Sequence, residues 1–157
     1  MTTQLNRYAT QGNYFVAQLA SELDMPENNG HALRVLRAVF HTIRKHLTPS
    51  VSLHLLSQLP MAVKSIYVDG WRIDAPKQQP DFDYEAFIDE VYKVSDGYQF
   101  KPFCRKAEVE ESVKAVFRVL KHNLSDGEYI DMMAYMPISL RLYLNNDYMF
   151  ERQDYFH

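Results

Sequence analysis

The stretch from Ala38 to Tyr67, AVFHTIRKHLTPSVSLHLLSQLPMAVKSIY, returns without a gap from Ala115 to Leu144 as AVFRVLKHNLSDGEYIDMMAYMPISLRLYL, at an offset of 77 residues. Ala, Val and Phe open both copies; Leu47 answers Leu124, Thr48 answers Ser125, Pro60 answers Pro137 and Lys64 answers Arg141. Ungapped correspondence of this kind marks an internal duplication, so whatever one copy folds into, the other must fold into as well. Each copy alone is too short to close a good core, and the two are therefore expected to share one. With only five glycines and 46% hydrophobic residues, a loop-rich or all-β design is disfavoured.

Helical periodicity and cap chemistry place the elements. Asn13 caps a first helix with Phe15, Leu19 and Leu23 on one stripe, ended by Pro26 and the run Asn28-Asn29-Gly30. A second helix, about His31 to Leu47, carries Ala32, Leu36, Phe40, Ile43 and Leu47 inward, widened by Leu33, Val35 and Val39. Thr48-Pro49 reads as an N-cap followed by proline at the first helical position. Val51, Leu55 and Leu59 line the third helix, and Pro60 forces a turn into a short fourth with Met61, Val63, Ile66 and Tyr67. Gly70 suits a left-handed C-terminal residue, with Trp71 folding back over the helix it follows.

The second copy restarts at Asp83, an N-cap flanked by Phe82 and Phe87 as a hydrophobic staple, with Phe87, Val91 and Val94 inward. Its first helix matches that of the first copy at an offset of 72, so five extra residues enter afterwards, in the aromatic loop Tyr98 to Cys104. Val109, Val113, Val116, Phe117 and Leu120 then face inward, and Ser125 with Glu128 forms a capping box. Ile130, Met133, Ala134 and Met136 precede Pro137, and Ile138, Leu140, Leu142 and Tyr143 make the last helix. Tyr148 falls where Trp71 falls, an aromatic lid in both halves. The tail aromatics Phe150, Tyr155 and Phe156 are expected to pack back or reach a neighbour. The expectation is an all-α protein, two tandem homologous units of about four helices in one body: repeat 1 about 13–71, linker 72–82, repeat 2 about 83–148.

Gln58-Leu59-Pro60, Tyr67 and Gly70-Trp71, followed by a Phe-led helix and a second helix-Met-Pro-helix unit, resemble the bacterial family catalogued as domain of unknown function 2267, from about Tyr14 to Leu144. The second half departs from that pattern, with Tyr135-Met136-Pro137 for Gln-Leu-Pro and Asp147-Tyr148 for Gly-Trp. The resemblance implies a helical fold and a bacterial, soluble setting. It implies no activity and no catalytic residue.

One cysteine, Cys104, excludes an internal disulfide and suits a reducing cytoplasm. The polar opening MTTQLNRYATQGN lacks the apolar run of a signal peptide, and no window reaches the roughly twenty apolar residues that insert across a membrane. Net charge is −3, yet Gly30 to Val68 holds no carboxylate and five cations, with four of the six histidines, so the remainder carries −8. Within it Arg34, Arg37, His41 and Arg44 follow one side of the second helix, and Lys114, Arg118 and Lys121 recur at the matching positions. A solvated outer face would look the same; the functional reading is a basic face for an acidic protein segment or an anion. Interleaved aromatics that would stack bases are missing from the stripe, which disfavours nucleic acid.

Histidine spacings do not pair on one helix face, so no metal site is expected, and no cofactor-binding loop occurs. Cys104, beside Arg105 and Lys106 at a helix start, is the one candidate nucleophile, but it lacks a visible base. Asp89-Glu90, Glu108, Glu110 and Glu111 read as exposed helix faces. The sequence thus favours a non-enzymatic binding or scaffolding module, for an acidic segment or for self-association. The alternatives are an enzyme or small-ligand protein with a site in the groove between repeats near Cys104, and a pH-responsive module built on the histidine-rich half.

Overall fold

Helix caps decide where each element starts in the computed structural model, which describes residues 3–73 and 82–145. Among the described residues the chain is all-helical: α1 (Gln4–Glu22), α2 (Asn29–His46), α3 (Pro49–Ser57), α4 (Met61–Val68), α5 (Tyr84–Ser95), α6 (Lys106–Asn123), α7 (Asp126–Met133) and α8 (138–145). Asn28, Thr48, Asp83 and Ser125 each accept a backbone N–H of the first turn through the side chain. Pro49 opens α3, and Gly70 takes φ 66° after α4. Trp71 folds back edge-on to Tyr67 at 5.6 Å between ring centroids. Phe82 meets Phe87 at 6.1 Å, closing the staple at the start of α5. The expected lid at Tyr148 and the tail aromatics lie outside the described residues, as does most of the linker.

Part of the packing among the described residues reads the same when the two halves are exchanged. α1 lies against α2 and α6, α5 lies against α6 and α2, α2 meets α6, and α3 meets α7. Each first helix therefore serves the second helix of both halves, an approximate two-fold arrangement about a shared core. Phe15, Phe40, Phe87 and Phe117 are all fully buried in that one cluster. Burying a Phe side chain contributes about 2 kcal/mol relative to leaving it in water, so these four rings are a principal source of cohesion.

Four expectations are corrected. α1 begins nine residues before Asn13, capped by Thr3, whose Oγ1 accepts from Asn6 N–H at 3.2 Å. The early turns of α1 carry no apolar stripe; they are held where Gly12 crosses α4, so closely that a Cβ there would stand 2.6 Å from Ala62 Cβ. Ile130, Ile138 and Leu142 point outward, as do Leu33 and Met61, and Met132 takes the inward place in α7. Ile88 joins Phe87 and Val91 inside α5, where Val94 is only half-buried. Finally, the capping box is half made. Ser125 Oγ accepts from Glu128 N–H, but Ser125 N–H donates to Gln58 Oε1 at 2.7 Å, and Gln58 Nε2 returns a bond to Ser125 Oγ at 3.1 Å. An amide from the first half thus completes a helix cap in the second.

Candidate binding groove

The basic stripe runs along α2 in the first half of the chain and along α6 in the second. On α2 it terminates α4. The last carbonyls of a helix have no partner within it and carry the negative end of its dipole, so a cation is favoured there. Arg44 Nη1 donates to the carbonyls of Tyr67 and Asp69, both at 2.7 Å, His41 Nε2 donates to that of Ile66 at 3.0 Å, and Arg37 pairs with the Asp69 carboxylate at 3.2 Å. Burial, together with the charges of Arg44 and Arg37, lowers the His41 pKa despite its carbonyl partner and the opposing pull of Asp69. The imidazole is thereby kept in its neutral, donating form.

The five-residue excess of the second half then covers this end. The Arg34 guanidinium lies over the Phe100 ring at 5.9 Å. Tyr98 buries its hydroxyl without a hydrogen-bond partner, and burial pushes its pKa up to about 12 against the pull of Arg37 and Arg44. The first stripe is a structural clamp with an aromatic cover.

The corresponding stripe on α6 has other surroundings. Lys114 Nζ stands 4.3 Å above the Tyr143 ring and 3.7 Å from Glu111, Arg118 pairs with Glu22 of α1 at 3.7 Å, and Lys121 lies 5.8 Å from the Tyr129 ring. Arg118 and Lys121 border an open groove of about 590 Å³ between α1, α6 and the start of α7. Gln18, Ser21 and Glu22 form one wall, Val119 and His122 continue the other, and Asp126 closes the end. The groove runs between the halves, and it carries both signs of charge.

Two polar junctions flank the shared core at equivalent places. His46 of α2 donates through Nε2 to Glu90 of α5 at 2.8 Å, with Lys45 3.6 Å away and the imidazole stacked on Phe82 at 3.9 Å. Burial alone would raise the Glu90 carboxyl; the His46 bond and charge, with Lys45, hold it below the usual carboxylate range. Across the molecule, Asn123 Nδ2 donates to Gln18 Oε1 at 3.1 Å. Asn123 stands 77 residues after His46, and Gln18 stands 72 before Glu90. One junction titrates and the other does not.

Cys104 is exposed in the loop before α6 and does not line the groove. Its N–H donates to Glu108 at 3.0 Å, so Glu108 serves the helix start, and Asp89 is paired with Lys106 at 2.6 Å. Among the described residues no three His, Cys, Asp or Glu side chains gather as metal ligands. No helix among them is long and apolar enough to cross a membrane.

An all-helical bundle with a polar groove between α1 and α6 is the class of protein that the described residues define. The chain belongs to the family described as "Uncharacterized conserved protein (DUF2267)", which matches it over residues 12–143. No curated protein matches the sequence.

Proposed function

We propose that this chain is a non-enzymatic binding module of the bacterial cytoplasm, built from two copies of one ancestral unit, that holds an acidic protein segment along α6 in the groove beside α1. The observation that carries this reading is the placement of Arg118 and Lys121 on the groove wall, with Lys114 on the same helix side. An incoming carboxylate exchanges with Glu22 for the Arg118 guanidinium, which makes the complex weak and strongly salt-dependent. The free, exposed thiol of Cys104 suits a reducing compartment.

Fluorescence anisotropy with a labelled Glu/Asp-rich peptide tests the reading. The double variant Arg118→Glu with Lys121→Glu is expected to lower affinity at least about tenfold, and rising salt to do the same. Arg7→Glu, exposed on α1 and about 16 Å along its axis from Gln18, is the control. Equal binding by all three proteins would remove the proposal.

A further inference from the structure

α3 and α7 lie side by side across the approximate two-fold axis, and each presents a large apolar side chain to solvent at the same place. Leu53 is 60% exposed and Ile130, its counterpart 77 residues on, is 65% exposed. Met61 and Ile138, which open the helices that follow, are exposed counterparts as well. A single exposed leucine is ordinary, but apolar residues repeated at equivalent exposed positions form a surface that is itself nearly two-fold symmetric. A two-fold homodimer requires a self-matching surface, and every contact made across its axis is made twice.

We propose that the α3/α7 face is the contact surface for a second copy of this chain. Two antiparallel placements put apolar side chains together: α3 on α3 with α7 on α7, or α3 of each copy on α7 of the other. Charge selects the second. α3 contains no carboxylate, while α7 carries Asp126, Glu128 and Asp131 and no cation. The residue after Leu53 is His54 and the residue after Ile130 is Asp131. His54 turns Nδ1 toward Glu128 at 3.5 Å and keeps 63% of its side chain in solvent. As an imidazolium, His54 donates through Nδ1 toward Glu128 and through its second ring nitrogen to Asp131 of the partner subunit. Stacking α7 on α7 would instead bring two acidic helices together, at a cost that the α3-on-α7 placement avoids.

Sedimentation velocity of the full chain over a concentration series tests this. The wild type is expected to shift toward twice 18.5 kDa as concentration rises. Leu53→Glu or Ile130→Lys alone should weaken association by more than about tenfold. The double variant should recover it, because only α3 on α7 sets the new carboxylate against the new ammonium. Both positions are exposed, and an unchanged helical circular dichroism signal will show that each variant folds. A wild type that stays monomeric at the highest concentration would overturn the proposal, as would a dimer insensitive to both single substitutions or a double variant no better than either single one. The groove residues are untouched in every variant, so this result and the peptide-binding result stand or fall separately.

Discussion

The α2 and α6 stripes occupy equivalent positions, yet one is a clamp and the other borders a groove. On α2 the cations reach the carbonyl end of α4 and are roofed by Tyr98 and Phe100. On α6, Arg118 meets Glu22 of α1 at the edge of open space. The five residues by which the second half exceeds the first are thus used on the first half's surface. A residue pattern fixes which side of a helix is charged, but what lies opposite that side of α2 is set by a loop from the other half of the chain.

The largest test of this contrast is removal of the clamp. Arg44→Ala is expected to lower unfolding free energy by about 2 kcal/mol, since it takes a charged donor from two carbonyls. Arg7→Ala, on the exposed start of α1, should change it by no more than about 0.5 kcal/mol. Urea unfolding of both variants measures the difference, and equal losses would mean that the clamp contributes nothing to stability.

Acid titration comes next. Glu90 has its folded pKa depressed, so its contribution is fully present above the unfolded value near 4.5 and disappears as pH falls through the folded pKa. His41 is also depressed: below its ordinary 6.5 the unfolded chain takes up the proton first, and stability declines there as pH drops. Substituting His46→Asn together with Glu90→Gln copies the Asn123–Gln18 junction. Melting temperature followed from neutral pH downward should then lose the Glu90 phase and keep the His41 phase. An unchanged profile would mean that the His46–Glu90 bond contributes nothing to acid sensitivity.

The smallest effect concerns the roof. Tyr98→Phe removes a buried hydroxyl that lacks a partner, and should stabilise the fold by up to about 1 kcal/mol in the same urea assay. A loss of stability would show that the hydroxyl is satisfied in solution.

Much of the architecture was legible because its chemistry is local. Thr48-Pro49, Asp83 between Phe82 and Phe87, and Gly70-Trp71 each specify a helix end within a few residues, and each is found there. The buried aromatics of α2 and α6 followed from period and repetition together. What escaped the sequence depends on residues distant along the chain. Gly12 looks like a helix breaker until α4 crosses it. Gln58 caps Ser125 from 67 positions away. The outward turn of Ile130 overrides a periodicity too short, in a helix of eight residues, to fix its own register. For the stripes, spacing gave the residues, and only the packing showed Arg44 on the carbonyl end of α4.

Because α1 leans on α6 and α5 leans on α2, neither half owns all the walls of its own interior. As the polypeptide leaves the ribosome, the leading half must wait with Phe15 and Phe40 incompletely enclosed until the trailing half is made. Maturation is then a closing of two partial shells at once, and a chain interrupted before α5 is left with greasy surface and no means of hiding it.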